Sequence, residues 1–91
     1  MSYGSGIVFS NTAVTSTSGA SGVVSINGHT KCIHFFNTSA STNATVKLNG
    51  GPHQVVIPAI NSGGGYVKIE GDFTSFQVMT AGVTIAVYAV A

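Results

Sequence analysis

The chain has 91 residues, 44% of them apolar and 5% charged, with a formal net charge of +1; an ordinary globular chain is about 25% charged. Three Lys, one Glu, one Asp and no Arg exclude a basic phosphate-binding patch, and a single cysteine excludes a disulfide scaffold. The apolar share excludes a disordered tail; with 12 Gly, 11 Ser and 10 Thr, the composition describes one uncharged, strand-forming, non-catalytic domain.

Helix signals are scarce, because Gly or β-branched runs interrupt every window with helical spacing. Strand signals are dense. Residues 6–10 form a first short run through Ile7, Val8 and Phe9. Residues 11–22 are a Ser/Thr/Gly/Ala tract with Val14 as its apolar residue, read as a long loop or extended arm with a weak strand around 13–17. Residues 1–22 are therefore expected to be an N-terminal arm, and residues 23–91 a single β-sandwich domain. A strand over 22–27 closes at Asn27-Gly28, a strong hairpin-turn pair.

The next strand spans 30–36, with Cys32, His34 and Phe36 on one side and Lys31, Ile33 and Phe35 on the other. Residues 43–48 follow, Val46 and Leu48 inward, Thr45 and Lys47 outward. Residues 53–57 form a strand stopped by Pro58, and 59–65 a loop ending in three glycines. Residues 66–70 alternate, Val67 and Ile69 in, Tyr66, Lys68 and Glu70 out. Gly71-Asp72 suits a two-residue turn into a strand over 73–80, with Phe76 and Val78 on one face. Ala81-Gly82 turns again into 83–90. The run from 66 to 90 reads as a meander. Its last strand is apolar on both faces, which predicts a central place in a sheet or cover by another subunit. About eight short strands at this spacing predict an all-β fold: an antiparallel β-sandwich, jelly-roll-like, or a small barrel.

No secretory signal is read in the first residues, and the longest apolar stretch, 83–91, is too short to span a bilayer as a helix. Neither a membrane nor a nucleic-acid partner is expected. The sequons Asn37-Thr38-Ser39 and Asn43-Ala44-Thr45 read as polar loop chemistry. A net charge near zero favours association, so the natural state is expected to be an assembly.

Catalytic constellations are thin. Glu70 and Asp72 are the two carboxylates and flank Gly71 in a solvated turn. Cys32 and His34, at i and i+2, reach one metal in principle, but zinc takes four ligands and no second pair lies nearby; no metal and no cofactor is assigned. Cysteine-nucleophile chemistry needs a base held by a third polar group, and none is legible. No serine elbow, dinucleotide fingerprint or phosphate loop is present. Phe35, Phe36, Phe73 and Phe76 are read as core. Tyr3, Tyr66 and Tyr88 are read as surface contacts, with Tyr66 beside Asn61 a thin sugar platform. Tyr3, Ile7, Val8, Phe9, Tyr66 and Tyr88 are the candidate interface residues. The arm, through Tyr3, Ile7, Val8 and Phe9, is expected to pack on a neighbouring subunit or pair with a sheet edge.

The stretches 30–39, Val46-Lys47-Leu48-Asn49-Gly50-Gly51, Val56-Ile57-Pro58-Ala59, the segment 69–76 and the close 82–88 together resemble the small all-β virion structural proteins of tailed bacteriophages. These include capsid decoration (cement) proteins and related head or tail accessory proteins. The resemblance covers residues 30–91 and is one of overall pattern. It implies a non-enzymatic protein made in the host cytoplasm and placed on the virion's capsid surface. Its implied partners are further copies of itself, as a trimer, and the major capsid protein or other virion proteins. It transfers no catalytic residue. The alternatives are a carbohydrate- or receptor-binding β-module of a phage tail or neck, and a self-assembling surface protein.

Overall fold

A computed structural model of the chain describes residues 7–15, 23–26, 29–49, 51 and 54–91. Among these, eight strands and one helical turn follow in order: β1 (Ile7–Thr15), β2 (Val24–Ser25), β3 (Cys32–Asn37), β4 (Ala44–Leu48), β5 (Gln54–Ile57), α1 (Ile60–Gly63), β6 (Tyr66–Glu70), β7 (Ser75–Val78) and β8 (Thr84–Val90).

The strands build two antiparallel four-stranded sheets, ordered β1-β8-β3-β6 and β2-β7-β4-β5. The pairing is nested: β4 pairs with β5, β3 with β6, β2 with β7 and β1 with β8. The chain thus doubles back on itself after β4. The doubled ribbon then rolls, which brings β8 beside β3 and β7 beside β4. This is the strand order of a jelly roll. The sheets are not closed, so the molecule is a sandwich and not the small barrel also considered.

Period-two alternation places the core. Along β3 burial alternates so that Ile33 and Phe35 are fully enclosed; β4, β7 and β8 do the same with Val46, Phe76, Val78, Ile85 and Val87. Each such side chain contributes roughly 1.5–3 kcal/mol when it leaves water. Phe76 of one sheet meets Phe35 and Phe9 of the other edge to face, at ring-centroid distances of 5.6 and 5.8 Å. β8 is central, between β1 and β3, as its two apolar faces predict.

Four expectations are corrected or refined. First, residues 7–15, expected within an N-terminal arm, form an edge strand of the sandwich paired with β8, the sheet-edge pairing that is one of the two placements expected for the arm. Phe9 and Val14 are five residues apart, which in a regular strand sends them to opposite faces. The register shifts between Asn11 and Val14, where three steps on β1 match two on β8, so Phe9 opposite Ala89 and Val14 opposite Ile85 both face the core. A second shift, between Ile7 and Phe9, leaves Ile7 outside and 62% exposed. Two bulges hide the alternation that a sequence reading depends on. β1 and the strands from β2 onward thus belong to one sandwich.

Second, the run from 66 to 90 is not a meander. β6 and β8 belong to one sheet and β7 to the other, so the chain crosses the sandwich twice. Alternation sets which side of a strand is buried and is silent about which sheet the strand joins. Third, Gly71-Asp72 is accordingly no hairpin tip but part of a crossing. Fourth, residues 60–63 of the expected loop make one helical turn, ended by Gly64 in a left-handed conformation (φ 81°) whose N–H donates to the Ile60 carbonyl. The Asn27-Gly28 turn and the start of the 53–57 strand at His53 lie outside the described residues.

Candidate functional site

The two outer faces of the sandwich differ. The outer side of β2-β7-β4-β5 presents Ser25, Ser75, Gln77, Thr45, Lys47 and Gln54, interrupted by Val56. The outer side of β1-β8-β3-β6 presents a band of rings. Strand register dictates that band. Phe36 lies opposite Tyr66 on one side and Ala86 on the other; His34 lies opposite Lys68 and Tyr88; Cys32 lies opposite Glu70 and Val90. Residues i and i+2 share a face, so Cys32, His34 and Phe36 stack along β3 between the two tyrosines.

The rings touch. His34 and Tyr88 are stacked at 4.7 Å, Phe36 and Tyr66 lie at 4.9 Å, Phe36 and Tyr88 at 5.6 Å, and His34 and Tyr66 at 5.9 Å. Tyr66 is 42% exposed; Tyr88, Phe36, His34 and Cys32 are half-buried by one another. A polar thread runs through the band. The Tyr66 hydroxyl lies 2.7 Å from His34 Nδ1, and His34 Nε2 lies 3.5 Å from Cys32 Sγ. The third polar group that orients an imidazole beside a thiol is therefore present: it is Tyr66, brought in from β6. The separation of 32 residues concealed it from the sequence.

A second polar cluster closes the end of the sandwich where β6 crosses to β7. Thr30 is buried; its hydroxyl donates to the Gly71 carbonyl at 2.7 Å and accepts the Phe73 N–H at 2.8 Å. Asp72 accepts the Thr30 N–H at 3.2 Å and lies 2.9 Å from Nδ1 of the exposed His29. The His29 hydrogen bond first, then that from Thr30, hold the Asp72 carboxyl below its ordinary value. Both groups are in water, so this is a loop clamp and not a paired acid and base.

The candidate interface residues separate. Tyr66 and Tyr88 sit on the ring band and flank His34 and Phe36. Ile7 is exposed at the end of the same sheet, paired with Val90. Phe9 is partly buried and packs edge to face on Phe76, against the core. Phe36 is corrected from core to outer face, because it follows Phe35 in a strand and must point the opposite way. Tyr3 and the Val8 side chain lie outside the described residues. Asn61 is on α1, where its N–H donates to the Ala40 carbonyl. His34, Phe36 and Cys32 were missed as contact residues, although their shared parity was legible.

Among the described residues, no three His, Cys, Asp or Glu side chains gather for a metal, no pocket opens, and no helix is long and apolar enough to cross a membrane. No protein-family model, curated protein or solved structure matches the chain.

Proposed function

We propose that this is a non-enzymatic virion structural protein, a decoration protein that binds the assembled head of a tailed phage as an oligomer through the ring-bearing outer face of β1-β8-β3-β6. The observation that carries the reading is the difference between the two outer faces. One carries hydroxyls, amides and Lys47, broken by the exposed Val56; the other sets Tyr66, Tyr88, Phe36 and His34 side by side, with Lys68 and Glu70 along its β6 edge. Aromatic residues are enriched at protein interfaces and charged ones depleted at their cores. With 5% charged residues the whole molecule fits that composition. A jelly roll is a fold that virion proteins use, though the fold alone defines no function.

Decoration works by mass action: a part that binds the assembled shell and not its separate subunits stabilises the shell. It needs a rigid body with an adhesive face. Low charge also makes such binding less dependent on salt.

The test is the copy number of the chain in purified particles of the phage that encodes it. A number that scales with the threefold positions of the shell, and that falls for a Tyr66→Ser/Tyr88→Ser variant, supports the reading. A chain absent from particles, or present at the copy number of a tail or neck, contradicts it. Glycan binding that vanishes with Tyr66→Ala moves the assignment to a sugar-binding module.

A further inference from the structure

We propose that β6 is an edge at which two copies of the chain join, antiparallel and in one register, with Ile69 of each copy at a twofold axis. This inference concerns how copies meet each other. It stands apart from the particle-binding reading, because pairing at an edge extends the sheet in its own plane and leaves the ring-bearing face open.

β6 ends the sheet β1-β8-β3-β6. Hydrogen bonds at both ends of its ladder with β3 set the parity of its backbone. The Asn37 N–H donates to the Gly65 carbonyl and the Gly71 N–H to the Lys31 carbonyl, each at 2.7 Å. In an antiparallel ladder, alternate residues turn their N–H and C=O to one neighbour and the residues between turn theirs the other way. Residues 65, 67, 69 and 71 therefore serve β3. Tyr66, Lys68 and Glu70 aim their backbone groups out of the sheet, where no strand meets them among the described residues. Such a row is a template for another strand.

The core is also open along this rim. The inward side chains of β3 and β8 are buried, whereas Val67 and Ile69 of β6 are half-buried, although they pack against the same core. A strand added beside β6 covers both, and the removal of apolar surface from water favours its addition.

Charge complementarity selects the occupant. With the twofold axis at Ile69, Lys68 stands opposite the partner's Glu70, and Glu70 opposite the partner's Lys68. Both pairs exchange ladder hydrogen bonds, and opposite charges placed this way stabilise a ladder. Between them Ile69 meets the partner's Ile69 on the core side. Moving the axis by one residue sets Lys68 against Lys68 or Glu70 against Glu70, and like charges directly opposite are unfavourable. One register thus satisfies the backbone, the charges and the apolar rim together. Its interface is isologous and closes at two copies. The other edges lack this match: β1 is broken by two register shifts, β2 has two residues, and β5 carries Gln54 and the exposed Val56 with no charge to fix a register.

The experiment is sedimentation equilibrium of the full-length chain and of Lys68→Glu and Glu70→Lys, each alone and the two variants mixed in equal amounts. Both side chains are exposed, so both variants retain the wild-type unfolding midpoint within a few degrees. The expected result is a wild-type dimer. Each variant alone dimerises at least about tenfold more weakly, because two like-charge pairs replace two opposite ones. The mixture regains wild-type affinity, since each variant supplies the charge that the other lacks. Cross-linking checks the register: Ile69→Cys in a Cys32→Ser background forms a disulfide-linked dimer under oxidised glutathione, because the Cα atoms of such a pair lie about 4.5 Å apart, and Lys68→Cys in the same background does not. A monomeric or trimeric wild type, or variants that dimerise as the wild type does, overturns the pairing. A mixture no tighter than its parts, or a cross-link through Lys68→Cys in place of Ile69→Cys, overturns the register.

Discussion

Phe36 and Tyr66 stand directly opposite each other across the β3·β6 ladder, ring centroids 4.9 Å apart, on the side of the sheet turned away from the core. Phe35, one residue earlier, is fully enclosed on the other side and meets Phe76. Neighbouring phenylalanines thus have opposite roles, and truncation separates them. Phe35→Ala is expected to cost about 3–5 kcal/mol, as for an aromatic removed from a packed core. Phe36→Ala loses cross-strand ring contacts worth roughly 0.2–1 kcal/mol each. Urea unfolding of the two variants checks this; equal losses contradict the assignment of faces.

β1 carries the next prediction. Because Phe9 packs on Phe76, Phe9→Ala is expected to lower stability by roughly 2 kcal/mol. An appended arm predicts no change in the unfolding midpoint of the free chain, so the same urea experiment decides between strand and arm.

Asn37 is buried at the end of β3, and its amide bridges segments of both sheets. Nδ2 donates to the Thr42 carbonyl at 2.8 Å and the Ile57 carbonyl at 3.1 Å, while Oδ1 accepts the Ser39 N–H at 2.9 Å. Asn37→Leu leaves those backbone groups without the amide, at about 1–3 kcal/mol for a buried group left unsatisfied. Faster hydrogen exchange at the Ser39 amide is the local signature to measure; an unchanged rate and midpoint count against the bridge.

The Thr30–Asp72 clamp predicts a pH dependence. The Asp72 carboxyl is held below its ordinary value in the folded chain by His29 first and Thr30 second. A carboxyl depressed on folding stabilises the fold at pH above its unfolded value, and that contribution disappears as pH falls through the folded value. The pair is exposed, so the effect is small and weakened by salt. Melting temperature followed from neutral to acid pH is expected to fall less steeply for Asp72→Asn than for wild type at low salt, with the difference shrinking at high salt. Identical acid limbs contradict the clamp.

Much of the architecture was legible because burial here is a matter of parity. Val46, Leu48, Phe76, Val78, Ile85 and Val87 alternate with polar or small neighbours, and each points where the alternation sends it. What stayed hidden depends on more than parity. The register shift between Asn11 and Val14 changes the phase along β1, so one strand reads as a short run over 6–10 followed by a polar tract with a weak strand around 13–17. The crossings from β6 to β7 and back look like hairpins, because a short Gly-containing connection serves either path. At the ring band, the face of His34 and Phe36 was readable, but its partners were not. Tyr66 and Tyr88 reach it through two different ladders, formed by chain far from β3 in sequence.

The claim on which the functional account rests is that protein, not water, covers the outer face bearing Tyr66 and Tyr88. Sedimentation equilibrium of the purified chain, over a wide concentration range and beside the Tyr66→Ser/Tyr88→Ser variant, tests it most directly. The account predicts a discrete oligomer for the wild type and a shift toward single chains in the variant. A wild-type chain that stays monomeric at the highest concentration, indistinguishable from the variant, contradicts it.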